Sequence, residues 1–347
     1  MAYNQSGYRF LLSHYLPEFK KISVSQYAVT SPYEVHPVLV YEPPTYYGRT
    51  LITFSGFSVH GYRDERIAAV SRAFARQGFR VITPYVSDID RLLIHPSTID
   101  KFAALIQAIH ADQILNPSVH PIGVFAVSYS GGIAMLAASR ADIAPCVNAI
   151  CLLGAFTHFK NVLQFIIEEQ DIDEYARYIL LRNFLQQSRF CDDEIVKLLN
   201  VAIQDNGFKK KKPALPAFLN SASTKTVNFF MQLMEDTSFR SELSYKAFEE
   251  INQRERWNDY FDLENKLDYV DFSVSLIHGQ CDRVIPSNES IHLHESLQQL
   301  GKNSHLVLTK LLDHGNLSLT KNLWQETNKL ASGFSFFIND LRTINTE

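Results

Sequence analysis

The chain has 347 residues, of which 46% are hydrophobic and 20% are charged, so it is long and apolar enough to bury a sizeable core. Its net charge of −4 gives no reason to expect nucleic acid as a partner. The chain has no apolar run of about 18 residues, so we expect no transmembrane segment, and its first residues show no signal-peptide pattern. The four cysteines lack ligand-like spacing, and a reduced, cytoplasmic protein is the simplest interpretation.

The first third of the chain alternates predicted strands and helices. Two strands, at 22–29 and 35–41, are joined by a turn at Ser31-Pro32. Apolar runs that end at glycine or polar residues predict four buried strands, and apolar residues at helical spacing predict three helices. These strands are 50–56, 80–86, 122–127 and 147–156, and the helices are 64–79, 99–111 and 131–140. The alternation predicts an α/β fold, in which helices cover both faces of a mostly parallel sheet.

The alternation stops at about residue 157, where a series of helical patterns begins. Only one glycine, Gly207, occurs between 157 and 272. After this stretch the sequence predicts a strand within 272–286, a helix near 289–300, a strand at 304–310 and a last helix from about Asn322. We therefore expect an α/β core domain, 1–156 and 273–347, interrupted by a helical cap insertion, 157–272.

The stretch "GVFAVSYSGG" (123–132) places a serine at a predicted strand-to-helix turn. At such a turn a hydroxyl stands clear of the sheet, and the next backbone N–H can donate to an oxyanion. The residues two before and two after the nucleophile must be small, which Ala126 and Ser130 satisfy for Ser128, and Ser128 and Gly132 satisfy for Ser130. We favour Ser128, which ends the apolar strand, and keep Ser130 as the alternative. Taken alone, the stretch fits a purely structural turn equally well.

Two further residues complete a possible catalytic set. Asp282 follows a predicted strand and a glycine, and His314 follows the next predicted strand. The carboxyl ends of parallel strands meet at one edge of a sheet, so both residues are expected near Ser128. A serine nucleophile needs a base and an acid that orients it, which are the roles that His314 and Asp282 fit.

The segment "HGQCDRVIP" (278–286) is the most specific motif in the chain, because it matches the HG-x-x-D-x-x-(I/V)-P pattern around the acid of α/β-hydrolases. Together with the Ser, Asp, His order, it makes the chain resemble that superfamily over roughly 22–156 and 272–340. The resemblance implies that Asp282 is the acid and that His314 is the late histidine of a catalytic triad. It also implies that the insertion is a lid.

The resemblance also points to an oxyanion hole after the strand at 50–56. This position reads Ser55-Gly56-Phe57-Ser58, without the histidine that the family usually has there. By similarity the backbone N–H groups of Phe57 and Tyr129 are the donors, with Ser58 as the alternative to Phe57. Together with the triad, these residues predict a metal-independent serine hydrolase that needs no cofactor. Its expected substrate is a small-molecule carboxylic ester or thioester with an apolar acyl group, cleaved through an acyl-enzyme.

Two alternatives to this function stay open. The first is a non-catalytic α/β-hydrolase scaffold that binds a ligand or a partner, and the second is an acyltransferase or peptidase that uses the same triad. Aromatic residues of the insertion are expected in its core, with some of them lining an acyl pocket. These residues are Phe165, Tyr175, Tyr178, Phe184, Phe229, Phe230 and Phe248.

Four consecutive lysines form the strongest charge run of the chain. They are Lys209, Lys210, Lys211 and Lys212. A solvated loop is the ordinary interpretation, and a peripheral contact with an anionic membrane surface is the alternative.

We expect His278 to have a structural role, Cys281 to be a buried small side chain, and His292 and His294 to be exposed on a helix.

Overall fold

The computed structural model describes residues 4–15, 21–190, 192–313, 316–317 and 322–343. Eight strands form one sheet through the middle of this part of the chain. They are β1 (Ser23–Thr30), β2 (Val35–Glu42), β3 (Thr50–Phe54), β4 (Arg80–Pro84), β5 (Ile122–Val127), β6 (Val147–Leu153), β7 (Ser273–Gly279) and β8 (Ser304–Thr309). Their order across the sheet is β1-β2-β4-β3-β5-β6-β7-β8. β2 is antiparallel to β1 and to β4, and all other neighbours are parallel.

Helices fill most of the connections between the strands. The helices of the core are α1 (Gln5–Tyr15), α2 (Glu65–Arg76), α3 (Ser87–Asp90), α4 (Ser97–Ala111), α5 (Tyr129–Ala138), α13 (Asn288–Gln299) and α14 (Leu323–Arg342). Those between β6 and β7 are α6 (Phe159–Glu168), α7 (Glu174–Gln187), α8 (Asp193–Gly207), α9 (Leu215–Ser221), α10 (Thr224–Glu235), α11 (Thr237–Glu255) and α12 (Trp257–Tyr260). A short hairpin, β9 (Leu312–Asp313) and β10 (Asn316–Leu317), follows β8. Among the described helices, none is long and apolar enough to cross a membrane.

The predicted fold class is confirmed, because a mostly parallel sheet carries helices on both faces. Successive strand residues face opposite sides, which β5 illustrates. Val124 packs in the apolar cluster that contains residues of α4 and α5, whereas Phe125 packs in the cluster formed with α1, α2 and α14. Both side chains are fully buried, which explains why β5 is an unbroken apolar run rather than an alternating one.

The helical insertion shares one apolar core with the sheet. Phe159, Phe184 and Phe248, from three of its helices, belong to the same cluster as Ile52 and Val124 of the sheet. A second cluster consists mainly of insertion residues and also includes Leu92 of the core. It contains Leu198, Leu199 and Ile203 of α8 with Phe230 and Leu233 of α10. The division into a core domain and a cap domain, with boundaries near 157 and 272, stays a prediction.

Gly207, the only glycine of the insertion, ends α8 against the loop that follows β3. A Cβ atom at this position would lie 2.6 Å from Val59 Cγ1 and 2.9 Å from Tyr175 Cε2. Contacts this short are not tolerated in packed proteins, so a larger residue would push α8 away from Val59. Glycine therefore allows the insertion to approach the core closely at this point.

Candidate active site

Ser128 lies between β5 and α5, in a backbone conformation that a serine rarely adopts. Its φ and ψ angles are 57° and −132°. Such a conformation costs of order 1–3 kcal/mol and persists only where surrounding contacts enforce it. Here the Ser128 N–H donates to the Leu153 carbonyl at 2.8 Å, and the Ser128 carbonyl accepts from the Gly131 N–H at 2.8 Å. The strand-to-helix turn that the sequence indicates is thus a sharp turn with a serine at its tip.

The two glycines after this turn are required by the chain that follows β6. A Cβ on Gly132 would lie 2.3 Å from the ring of Phe156, and a Cβ on Gly131 would lie 2.8 Å from the Ala155 Cβ. Neither glycine has a positive φ angle, so their role is steric. They let the first turn of α5 pack directly against residues 155–156.

Ser130, the alternative nucleophile, lies inside the first turn of α5 and is completely buried. Its hydroxyl finds no hydrogen-bond partner among the described residues. Ser130 is therefore not exposed to the cavity that is described below. Ser128, which is 8% exposed, lines a cavity instead.

Asp282 lies in the loop after β7, and its carboxylate is almost fully buried, with a side chain that is 2% exposed. Its Oδ1 atom accepts hydrogen bonds from the Val284 N–H at 2.8 Å and the Ile285 N–H at 3.0 Å. Its Oδ2 atom lies on the side of Gly154, where a Cβ would be 3.3 Å away. Two backbone donors therefore fix the carboxylate in one orientation over the turn that follows β6.

His278 and Cys281 belong to the same motif and differ in burial. His278 is fully buried, with Nε2 at 2.9 Å from the Ile285 carbonyl and Nδ1 at 2.7 Å from Ser290 Oγ. Because a carbonyl only accepts, Nε2 carries the proton and the ring links β7 to α13, which is a structural role. The prediction of a buried Cys281 is wrong, since this thiol is exposed. It precedes Asp282 in the loop, where the chain turns one side chain inward and its neighbour outward.

Ser128 and Asp282 line the same small cavity of about 10 Å³, together with Leu312. The loop after β8 approaches this point closely, because a Cβ on Gly279 would lie 2.3 Å from the Leu312 carbonyl oxygen. The glycine of the motif is therefore needed for the contact between the two loops. His314, the predicted base, lies outside the described residues, so its position relative to Ser128 stays a prediction.

The loop after β3 lies against the other side of Ser128. A Cβ on Gly56 would be 3.2 Å from the Ser128 Cβ. The next residue, Phe57, stacks its ring on that of Tyr129, with ring centroids 4.6 Å apart. The two residues predicted to donate to an oxyanion therefore adjoin Ser128 and each other. Burial raises the pKa of the Tyr129 phenol, so this group stays protonated near neutral pH.

Ser58 is held by a buried carboxylate. Its hydroxyl donates to Asp64 Oδ2 at 2.5 Å, and Asp64 also accepts from the backbone and the guanidinium of Arg66. Burial alone would raise the pKa of Asp64, but the hydrogen bonds from Arg66 and Ser58 outweigh it and lower the pKa to about 2. Asp64 is therefore ionised and accepts only, so the Ser58 hydroxyl is committed to it. Only the backbone N–H of Ser58 is left as an alternative oxyanion donor.

Asp90 supports the same loop from α3. It accepts from the Tyr62 N–H at 3.0 Å and the Val86 N–H at 3.3 Å, and its Oδ1 would be 1.9 Å from a Cβ on Gly61. Gly61 has a φ angle of 54°, so both its conformation and its space require glycine. Burial raises the pKa of Asp90 to about 6, although the two N–H donors act against this.

Replacing Asp90 by asparagine should remove about 2 kcal/mol of the stability that the protein loses between pH 4 and pH 8. The folded-state pKa is raised above the ordinary value of 3.8, so stability from the neutral carboxyl is present below pH 4 and is lost as pH rises to about 6. Urea unfolding at both pH values measures this difference. Asp171→Asn, at an exposed side chain, is the control. If Asp90→Asn changed the free energy of unfolding equally at the two pH values, the pKa of Asp90 would not be raised in the folded protein.

A cavity of about 620 Å³ opens at Ser128 between the sheet and the insertion. The loop after β3 and residues 128–129 form its floor, and α6, α7 and the end of α8 form its roof. Its apolar lining includes Ile94, Phe156, Phe159, Val162, Ile166 and Ile179. Of the seven insertion aromatics that the sequence singles out, Tyr175 lines this cavity, whereas Phe184, Phe230 and Phe248 are buried in packing.

The lysine run lies at the rim of this cavity. All four lysines are exposed, Lys209 lines the cavity, and Lys210 pairs with Asp205 at 3.0 Å. Arg63 and His60 line the cavity from the loop after β3. Contact of this run with an anionic surface stays a prediction.

Solved structures with a similar fold are hydrolases. The Pyrococcus furiosus esterase Pf2001 matches with a TM-score of 0.53 at 10% identity, covering 91% of this chain and 92% of the esterase. The uncomplexed Pyrococcus horikoshii acylaminoacyl peptidase matches with a TM-score of 0.54 at 14% identity, covering 95% of this chain but 43% of the peptidase. The chain thus spans less than half the length of that peptidase. No protein-family model and no curated protein sequence matches the chain. These similarities establish the α/β-hydrolase fold that the sequence predicts.

Proposed function

We propose that this protein is a serine hydrolase that cleaves a carboxylic ester or thioester with an apolar acyl group. The observation that carries the proposal is the position of Ser128. This serine has a strained backbone, stands at the tip of the turn before α5 and lines a cavity of about 620 Å³ with a largely apolar wall. Backbone strain is costly and is commonly found at functional sites. A strained serine beside a ligand-sized cavity therefore favours a functional role over a purely structural turn.

In the proposed reaction the Ser128 oxygen attacks the substrate carbonyl while His314 takes the hydroxyl proton. The tetrahedral intermediate collapses, the bond to the leaving group breaks, and His314 returns the proton to that group. Water, activated by the same histidine, then attacks the acyl-enzyme and releases the acid. The position of Leu312, two residues before His314 and in the cavity shared by Ser128 and Asp282, supports this role for the histidine.

Asp282 is the residue proposed to orient His314. Its carboxylate is buried, and two backbone N–H groups fix it, so its direction does not depend on solvent or on a flexible side chain. A fixed carboxylate holds an imidazole in one tautomer and stabilises its charged form. Its location at the cavity that Ser128 also lines supports the assignment.

The N–H groups of Phe57 and Tyr129 are proposed to bind the oxyanion. Tyr129 is the first residue of α5, and the first N–H of a helix has no acceptor within the helix. The positive end of the helix dipole also lies here, which favours a negative charge. The stacking of the Phe57 and Tyr129 rings holds the two residues in a fixed relation beside Ser128.

A panel of esters and thioesters of graded acyl length, together with a fluorophosphonate probe, tests the proposal. We expect hydrolysis of some members and covalent labelling of one serine per chain. If neither turnover nor labelling occurs across the panel, the chain is a non-catalytic scaffold instead. Transfer to an added alcohol or cleavage of an acylated peptide in preference to the esters would favour the acyltransferase or peptidase alternative.

Narrowing the cavity should shorten the preferred acyl chain. Ala176 lines the cavity from α7, so Ala176→Phe would place a ring in the proposed acyl site. We expect kcat/KM for long-chain esters to fall about tenfold or more while short-chain esters are little affected. Ala217→Phe, at an exposed position on α9, is the matched control. A uniform loss across all acyl lengths would indicate that the cavity does not hold the acyl group.

A further inference from the structure

We propose that His158, Glu289 and His292 form a Zn²⁺ site that ties the start of the helical insertion to helix α13 of the core. Each residue offers one ligand atom, and the three atoms lie within 4.8 Å of one another. This cluster plays no part in the proposed hydrolysis, so the inference goes beyond that function.

The three residues come from two separate elements. His158 is the residue immediately before α6, where the insertion begins. Glu289 and His292 stand at positions i and i+3 of α13, so they lie on one face of that helix. A metal bound by all three would therefore join the insertion to the core.

The hydrogen bonds of His158 leave one of its ring nitrogens able to bind a metal ion. Its Nε2 atom lies 2.9 Å from Glu264 Oε2, and a carboxylate only accepts, so Nε2 carries the proton. The lone pair is then on Nδ1, which lies 4.0 Å from Glu289 Oε2. Nδ1 is buried and has no hydrogen-bond partner in the described part of the chain. Histidines that bind metals commonly donate their other N–H to a carboxylate in this way.

Glu289 is a fixed and buried carboxylate, with a side chain that is 2% exposed. It accepts from the backbone N–H groups of Thr157 at 2.9 Å and His158 at 2.6 Å, and from the Asn161 amide at 3.2 Å. Among the described residues, it forms no ion pair with a lysine or an arginine. A divalent cation would supply the positive charge that this buried carboxylate lacks.

Two imidazoles and one carboxylate form a ligand set that zinc prefers, with a fourth position for water. Tetrahedral zinc with bonds of 2.0–2.1 Å requires ligand atoms about 3.4 Å apart. The ligand atoms must therefore move closer by about 1 Å on binding, and His292 is exposed, so its ring is the least enclosed of the three ligands. The competing interpretation is a cluster without metal, in which His158 only contacts the carboxylates of Glu264 and Glu289.

Zinc titration of the tag-free, chelator-treated full chain by calorimetry tests the site, with Co²⁺ as a spectroscopic substitute. We expect one Zn²⁺ per chain, tetrahedral visible absorption of bound Co²⁺, and a rise of roughly 5 °C in the unfolding midpoint at saturation. His292→Ala should weaken binding more than about tenfold, and Glu264→Gln should weaken it about tenfold through His158.

His294→Ala on the same helix is the control, because His294 contacts Ser304 rather than the cluster. This variant should bind Zn²⁺ as the wild type does. His292 is exposed, so its replacement tests the site without threatening the fold. Absence of stoichiometric Zn²⁺ binding by the wild type, or equal binding by His292→Ala, would overturn the proposal. Neither measurement depends on hydrolase activity, so the two proposals fail independently.

Discussion

Replacing Ser128 by alanine is expected to lower kcat for ester hydrolysis by about 10⁶-fold and to abolish labelling by a fluorophosphonate. The reason is that no other hydroxyl stands at the tip of the turn, so the acyl-enzyme cannot form. Steady-state kinetics with the best ester of the panel measure the loss, and mass spectrometry of the labelled protein identifies the modified residue. The strained backbone at position 128 is the same for serine and for alanine, so Ser128→Ala adds no strain and should fold normally.

Ser130→Ala is the matched control for this prediction. The Ser130 hydroxyl is buried without a hydrogen-bond partner in the described chain, so its removal should leave kcat within about threefold of the wild type. It should also leave the free energy of unfolding unchanged or raise it by up to about 1 kcal/mol, since an unsatisfied buried polar group is lost. An active Ser128→Ala together with an inactive Ser130→Ala would show that the nucleophile is Ser130.

Replacing Asp282 by asparagine should lower kcat by about 10⁴-fold, a smaller loss than at Ser128. Asparagine keeps an oxygen for the Val284 and Ile285 N–H groups, but it removes the charge and allows the wrong tautomer of His314. The comparison of kcat for the two variants on one substrate measures the difference. A fall in kcat with unchanged thermal stability is the expected outcome.

Asp282→Ala separates the catalytic role from the structural one. Alanine leaves the two buried N–H groups of the loop without an acceptor, which should cost about 1–3 kcal/mol of stability. The asparagine variant should therefore unfold near the wild-type temperature, and the alanine variant clearly below it. If Asp282→Asn retained full activity, the acid would have to be another residue.

The central part of the fold was predictable because β3, β5 and β6 are nearly continuous apolar runs. β5 and the serine turn illustrate this, since both the buried strand and the position of Ser128 follow from ten residues of sequence. The motif around Asp282 likewise predicted a carboxylate after β7. What these segments share is local information, in which strand, turn and functional residue are adjacent in the chain.

Other features depend on contacts between distant segments and left no local signal. Helix α1 contains Gly7, which weakens helix propensity, but a Cβ there would lie 1.9 Å from the Ala331 carbonyl oxygen of α14, so glycine is needed for packing. Helix α9 has Leu215, Phe218 and Leu219 at helical spacing, but with 7 residues it is too short for this spacing to identify it. The cavity wall and the cluster of His158, Glu289 and His292 combine side chains that are far apart in sequence. Only their spatial arrangement identifies them.

In the proposed reaction, the apolar cluster that Phe159, Phe184 and Phe248 share with the sheet would limit how substrate reaches Ser128. Swinging the whole insertion outward would expose these rings to water, and each fully buried phenylalanine contributes about 1.5–3 kcal/mol. Passage of substrate and product is therefore expected to involve side-chain and loop motion near Lys209, where the rim is exposed, rather than a hinge. By the same reasoning, a shortened protein without residues 157–272 would lose much of the interior of what remained.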